Sequence, residues 1–144
     1  MADYFDPFPG SRGDEFGNFN KAYRTQPHRG SDWSGNAGKV IKAITTGRVK
    51  EVFWTDALGH CLIQATGDGH YILYAHMKNK SSRKVGEMLV GGQTAVGAVG
   101  NTGTSTTGAH LHCGFSIKPK PHTAAYADLR DLHAHIDANL PKAA

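Results

Sequence analysis

Glycine spacing is the feature that most restricts how this chain can fold. The sequence has 18 glycines in 144 residues. The segments between them are short and rich in Val, Ile, Thr and Tyr, which fit a pleated sheet better than a helix. This pattern predicts many short strands joined by tight turns. A chain of this length is expected to form one domain with a sizeable hydrophobic core.

Two strand pairs are predicted in the first half of the chain. Residues 38–55 have a strand–turn–strand pattern in which Gly47 fits the turn of a hairpin. Residues 60–66 and 70–76 predict a second hairpin, because the sequence Gly-Asp-Gly at 67–69 is typical of a tight turn. Both pairs would be antiparallel, since a short turn can join only antiparallel neighbours.

The second half predicts two more strands and a helix. Residues 94–99 and 110–117 have the composition of strands. Residues 124–140 carry apolar side chains at helical spacing and are followed by Pro141, which predicts a C-terminal helix. Residues 1–27 have few periodic signals, so we expect an irregular arm whose aromatic side chains pack on the domain or line a groove. These side chains are Phe5, Phe8, Phe16, Phe19 and Tyr23.

Two histidines, His110 and His112, open the last predicted strand. Alternate side chains of a strand point to one face, so their imidazoles would lie on the same side with Cα atoms roughly 7 Å apart. They could share one metal ion, or one could hold the ion while the other reaches a water beside it. A pair of ordinary surface histidines would have the same spacing.

His28 and Asp32 are a second candidate pair of ligands. They are four residues apart, but Pro27, Gly30 and Gly35 disfavour a helix there. In a bent loop-to-strand segment the two side chains can still converge, and imidazole and carboxylate are both good zinc ligands. A solvated histidine and aspartate in a glycine-rich loop are the alternative.

Composition limits the classes of partner and site. The net charge of +4 suits an acidic polymer such as nucleic acid, an anionic membrane or a bacterial envelope. No block of like charges singles out nucleic acid, which we therefore disfavour. Cys61 and Cys113 form no CxxC motif, which excludes a cysteine zinc cluster. We expect both to be small buried hydrophobes, with a disulfide between them left open.

Three motifs occur in a fixed order along the chain: His28-x-x-x-Asp32, Tyr74-Ala75-His76-Met77 and His110-Leu111-His112. A glycine-rich framework, from Val85-Gly86-Glu87 to Gly100-x-Thr102-Gly103-x-Ser105-Thr106, lies between the last two. The ordered set resembles the lysostaphin-type (LytM-like) zinc metallopeptidases, which cut the peptide part of bacterial peptidoglycan. The resemblance runs from about residue 30 to residue 115.

The resemblance implies a fold and a site. The fold would be a mostly antiparallel β domain with a narrow groove over the metal, to which the C-terminal helix is added. One zinc ion per chain would be held by His28, Asp32 and His112. His76 and His110 would be the uncoordinated catalytic histidines, of which His110 is the general base. The activity implied is endopeptidase hydrolysis of peptidoglycan.

The same resemblance divides the chain and suggests where it acts. Residues 1–27 would be the arm, 28–121 the peptidase core, and 122–144 the C-terminal helix or a linker. The N-terminus lacks the pattern of a signal peptide, and no apolar stretch is long enough to span a membrane. We therefore expect a protein that stays in the host cytoplasm until release to the cell wall, as a phage endolysin does.

Partners and rival functions follow from these expectations. The expected partner is the peptide of peptidoglycan, bound by a monomer, with no nucleic acid and no membrane. A catalytically silent binding module and a basic nucleic-acid-binding β domain are the rival classes. All five site positions are filled, which disfavours the silent module.

Overall fold

The computed structural model describes residues 3–20, 22 and 24–142. Within these residues the chain forms eight strands, a short 3₁₀ helix at Tyr126–Asp128 and one α-helix, α1, at Leu132–Ala138. The strands are β1 (Ser31–Ser34), β2 (Val40–Lys42), β3 (Gly47–Thr55), β4 (Gly59–Ala65), β5 (Tyr71–Met77), β6 (Met88–Leu89), β7 (Ala95–Ala98) and β8 (His110–Ser116).

One antiparallel sheet carries most of the fold. Its strand order is β1-β8-β5-β4-β3-β6, while β2 and β7 pair in a separate two-stranded sheet. The central strand β5 is buried from Ile72 to Met77, because apolar clusters cover both faces of the sheet. The prediction of a mostly β, antiparallel domain with a C-terminal helix is confirmed. None of the helices in the described residues is long and apolar enough to cross a membrane.

The hairpin predicted from residues 60–76 is confirmed. Strands β4 and β5 pair antiparallel, with Ala65 opposite Tyr71 beside the turn. The turn itself is fixed by Thr66, whose hydroxyl accepts from the backbone N–H of His70 at 2.9 Å. The Gly-Asp-Gly pattern was therefore a sufficient local signal for this pair of strands.

The hairpin predicted from residues 38–55 is wrong, although both of its strands exist. Strand β2 pairs with β7, and β3 pairs with β4 and β6. Gly47 is the first residue of β3 and not a turn residue. A Cβ atom at this position would lie 1.8 Å from the carbonyl oxygen of Ala65, so the glycine permits a close approach of two backbones.

The C-terminal helix is shorter than the predicted span of residues 124–140. Leu129 has extended backbone angles and forms an isolated bridge with Ser116, so its segment joins the sheet edge. Asp131 then starts α1, because its carboxylate accepts from the backbone N–H of Ala134 at 3.1 Å. The predicted apolar side chains are present, but Leu132 and Ile136 are the only residues of α1 that belong to the hydrophobic core.

The arm packs on the domain in its described part. Tyr4 is fully buried and Phe8 packs on the core, whereas Phe16 stacks on Tyr126 and Phe19 is largely exposed. Tyr23 lies outside the described residues. The division of the chain at residues 27 and 121 stays a prediction.

A buried hydroxyl and two buried thiols complete the core. The Tyr74 hydroxyl is fully buried, donates to Oε1 of Gln64 at 2.8 Å and accepts from the backbone N–H of Ile44 at 3.0 Å. Cys61 and Cys113 are both buried and free, as expected of small apolar side chains. Burial raises the pKa of the Cys61 thiol to about 12, so it stays protonated at neutral pH.

Candidate metal centre and groove

The pairing of β1 with β8 brings together Asp32 and His112, two of the three candidate metal ligands. In the register of β1 and β8, Asp32 lies opposite His112 and Ser34 lies opposite His110. Oδ1 of Asp32 is 2.8 Å from Nδ1 of His112. His110 lies two residues earlier on β8 and approaches the same carboxylate, with its Nε2 atom 4.0 Å from Oδ2 of Asp32.

His28 completes a three-residue set. Its Nε2 atom is 3.3 Å from Nδ1 of His112 and 3.4 Å from Oδ1 of Asp32. One ligand atom from each residue therefore lies within 4.8 Å of the others. Two imidazole nitrogens and a carboxylate oxygen this close together form a set that can hold a metal ion.

The arm orients His28. The Nδ1 atom of His28 is 3.0 Å from the carbonyl oxygen of Glu15. A carbonyl only accepts, so Nδ1 carries the hydrogen and Nε2 is left with its lone pair toward Asp32 and His112. The backbone of Asp32 is also held by the arm, since its N–H donates to Asp14 and its carbonyl accepts from Gly13.

His76 stands at the rim of β5 in an unusual backbone conformation. Its φ angle is +57°, in the left-handed region that residues other than glycine rarely adopt. Thr102 holds it there: the carbonyl oxygen of Thr102 accepts from Nδ1 of His76 at 2.7 Å, and its hydroxyl donates to the carbonyl of Met77 at 2.7 Å. Strained residues held in this way cluster at functional sites.

His110 faces His76 across a short gap. Their ring centroids are 4.8 Å apart, and the His76 ring lies 6.0 Å from that of His112. The Nδ1 atom of His110 donates to the carbonyl of Gly108 at 2.8 Å. Like His28 and His76, His110 therefore carries its hydrogen on Nδ1 and has an unprotonated Nε2. The arrangement offers two neighbouring proton acceptors beside the set of three ligands.

The charges of the site are set by burial and hydrogen bonding. Burial raises the pKa of Asp32, but the hydrogen bond from His112, together with the neighbouring His28, outweighs it and holds the pKa well below its ordinary value. Asp32 is therefore an anion at neutral pH. Burial lowers the pKa of His76 to about 4, so this imidazole stays neutral at pH 7 and down to pH values well below 7.

A groove runs over these side chains. Its volume is about 370 Å³, and its lining includes residues 24–29, Ser105 and His110. A second, mostly apolar cavity of about 320 Å³ shares Arg29, Leu58 and His112 with the groove. The five predicted site residues all line this groove.

Sequence reasoning missed the groups that support the ligands. His133 is buried, with Nε2 3.0 Å from the carbonyl oxygen of Asp32 and its ring edge-on to Trp33. Its position next to the apolar face of α1 was the one available signal. Glu15 and Thr102 act through backbone carbonyls, which leave no trace in the choice of side chain.

The fold and this groove are those of a known class of peptidase domains. The sequence pattern of Peptidase family M23 matches residues 26–124, more than half of the chain. The chain therefore belongs to Peptidase family M23.

Similar proteins agree with this assignment. Glycyl-glycine endopeptidase ALE-1 from Staphylococcus capitis is 34% identical over 106 residues, which cover 66% of this chain and 28% of the relative. The catalytic domain of the antimicrobial peptidase lysostaphin from Staphylococcus simulans superimposes with a TM-score of 0.73 at 26% identity, covering 88% of this chain and 91% of that domain. LytU superimposes with a TM-score of 0.74 at 32% identity, covering 94% of this chain and 91% of the other.

The match to whole proteins is partial. The chain spans 19–28% of the length of the curated relatives that it matches. The correspondence is therefore between this chain and a domain of each relative.

Proposed function

We propose that this protein is a zinc metalloendopeptidase that hydrolyses peptide bonds of bacterial peptidoglycan. The observation that carries the proposal is the convergence of Nε2 of His28, Oδ1 of Asp32 and Nδ1 of His112 in one groove, with two further imidazoles beside them. Membership of Peptidase family M23 and similarity to a lysostaphin catalytic domain support it.

His28, Asp32 and His112 would hold the zinc ion. Two imidazole nitrogens and one carboxylate oxygen are a common donor set for a catalytic zinc, which keeps a further position open. When bound, the ion polarises a peptide carbonyl and lowers the pKa of water at the site. The chain has already prepared its ligands, because Asp32 is anionic and His28 presents an unprotonated Nε2.

His110 is the proposed general base. Its Nε2 atom has a free lone pair because Nδ1 is occupied by the Gly108 carbonyl. From there it can take the proton of the attacking water and pass it to the leaving amine. His76 donates to the carbonyl of Thr102 and is more deeply buried than His110, which suits a group that orients water or faces the developing oxyanion.

The groove suggests how substrate binds. An extended peptide would lie along it, between residues 24–29 and the loop before β8. The apolar cavity beside His112 would take a side chain or a bare backbone segment next to the scissile bond. The +4 charge favours approach to an anionic cell wall. Release from a host cytoplasm by a phage stays a prediction from the sequence.

Metal content and lysis test this function together. We expect elemental analysis to find one fewer zinc ion per chain in His112→Ala than in the wild type, and we expect the wild type to lower the turbidity of at least one type of cell wall. Glycine-bridged walls belong in the panel, because one relative is named as a glycyl-glycine endopeptidase. His60→Ala is a matched control, since His60 does not line the groove.

A second variant separates binding from chemistry. His110→Ala should keep its zinc and lose hydrolysis, because it removes the base and no ligand. Zinc bound without hydrolysis of any wall by the wild type would favour a binding module. Absence of both zinc and lysis would overturn the proposal.

A further inference from the structure

A second group of side chains that could hold a metal ion lies at the opposite end of strand β5. Asp68 is in the β4–β5 turn, His70 directly precedes β5, and His135 is on α1. His70 is six residues along the strand from His76, which corresponds to roughly 20 Å. The two groups share no residue.

The geometry of this group resembles that of the groove set. Nδ1 of His70 is 3.2 Å from Oδ1 of Asp68, and Nε2 of His135 is 2.8 Å from Oδ2 of the same carboxylate. One ligand atom from each of the three residues lies within 4.8 Å of the others. The side chains are only partly exposed, at 19% for His70, 26% for His135 and 27% for Asp68.

Surrounding residues fix the three side chains. The hydroxyl of Tyr4 donates to Oδ1 of Asp68 at 2.7 Å, and that of Thr66 donates to the same atom at 2.6 Å. Both imidazoles pack on the ring of Phe115, with centroids 4.6 Å and 5.0 Å away. Outer hydrogen bonds and packing of this kind orient metal ligands and restrict their rotation.

We propose that Asp68, His70 and His135 bind a second divalent transition-metal ion, with zinc as the favoured ion, at a structural site distinct from the groove. Two imidazoles and a carboxylate suit zinc, copper or nickel better than calcium or magnesium, which prefer all-oxygen ligands. Water would complete the coordination, since the three residues supply one donor each.

The site would tie three separate parts of the chain together. It joins α1 to the β4–β5 turn, and Tyr4 links the arm to the same carboxylate. Helix α1 has only seven residues, and so short a helix depends on tertiary contacts for its stability. An ion at this point would therefore stabilise the packing of the arm and helix on the sheet.

A purely hydrogen-bonded group is the alternative, and the ring hydrogens distinguish it. Without an ion, His70 must carry its hydrogen on Nδ1 and His135 on Nε2, since both atoms face a carboxylate. When an ion binds, each hydrogen moves to the other nitrogen of the same ring. Among the described residues those other nitrogens have no hydrogen-bond partner, so neither ring has to give up a second hydrogen bond when it changes tautomer.

The test uses the full chain in a His112→Ala background, which removes a ligand from the groove site. We expect zinc titration to give one equivalent bound in His112→Ala and an increase in its melting temperature. Nitrogen-15 spectra of the histidine side chains should show Nδ1 of His70 and Nε2 of His135 shifting with zinc. Both effects should vanish in His112→Ala/His135→Ala and persist in His112→Ala/His60→Ala.

Folding is controlled separately. Each variant is melted in chelator, and Asp68→Asn serves as a second variant because its amide oxygen can still accept from Tyr4 and Thr66. We expect Asp68→Asn, in the same background, to bind zinc about tenfold or more weakly. Unchanged signals of His70 and His135 at saturating zinc, or equal zinc affinity in the Asp68→Asn variant, would overturn the proposal.

Discussion

Replacing Gly30 with alanine should weaken zinc binding in the groove without changing any proposed ligand. Gly30 lies between His28 and Asp32, where β1 begins beside β8. A Cβ atom at this position would be 2.3 Å from the carbonyl oxygen of Cys113 and 2.6 Å from Cε1 of His112. Real Cβ contacts are essentially never shorter than 3.0 Å, so the two strands must separate by about 0.7 Å.

That displacement is large compared with what either the strands or the site tolerate. Metal–ligand distances are kept within roughly 0.2 Å of their ideal values. The backbone oxygen cannot rotate away, so the clash should cost about 1–3 kcal/mol of folding stability, as overpacking does elsewhere. The melting temperature should fall by roughly 2–4 °C per kcal/mol. We expect zinc affinity to fall about 10–100-fold, as when an orienting partner of a ligand is lost.

A competition titration with a chromophoric chelator measures the zinc affinity, and melting in excess chelator measures the stability of the metal-free chain. Both substitutions are made in a His135→Ala background, so that zinc at the second proposed site does not enter the titration. Gly67→Ala is the matched control, because a Cβ at Gly67 meets nothing within 4 Å and its φ angle lies outside the left-handed region. If Gly30→Ala bound zinc as tightly as Gly67→Ala, the close approach of β1 and β8 would not position the ligands, and the reasoning would fail.

Three further predictions follow from buried polar contacts. Thr102→Val should lower kcat about 10–100-fold with little change in KM, because it removes the hydroxyl that fixes the segment of His76. Thr102→Ser keeps a hydroxyl and should leave kcat unchanged. Kinetics of wall hydrolysis measure kcat and KM for both variants. Tyr74→Phe should destabilise the protein by about 2–4 kcal/mol in urea denaturation, since Gln64 and the N–H of Ile44 both lose a buried partner; a change under 1 kcal/mol would contradict this. In metal-free protein, neutral His76 should make its full contribution to the free energy of unfolding above pH about 6.5, the ordinary pKa of histidine in the unfolded chain. That contribution should be lost as the pH falls toward the folded pKa of about 4. Denaturation at a series of pH values should show this loss, and His76→Gln should reduce it; stability that rises on acidification would be the contrary result.

Local patterns in the sequence predicted what local physics determines. The β4–β5 hairpin follows from a turn sequence between two apolar runs, and the common face of His110 and His112 follows from strand alternation. The pairing of β2 with β7 could not be found in this way, because these strands are far apart in sequence and Gly47 permits a close approach to Ala65 and does not form a turn. Turn chemistry and close packing both select glycine, and the sequence does not distinguish them.

The candidate site shows the same difference between what local patterns predict and what long-range contacts determine. Its charged and imidazole side chains were predictable, since their chemistry shows in their residue types. Their orientation was not, because it depends on the carbonyls of Glu15, Gly108 and Thr102, and every residue has a carbonyl. The contact of His133 with Asp32 needed the packing of α1 on the sheet, which apolar spacing alone does not specify.

The supports of His28 and Asp32 have a consequence for anyone who engineers this domain. Similarity to the family covers residues 26–124, yet the carbonyl that orients His28 comes from Glu15 and the imidazole that contacts the backbone of Asp32 comes from His133. A fragment limited to residues 26–124 would retain every proposed ligand and lose two of the groups that orient those ligands. Fusion and domain-swap designs should therefore take their boundaries from these outer contacts, which lie on both sides of the segment that matches the family.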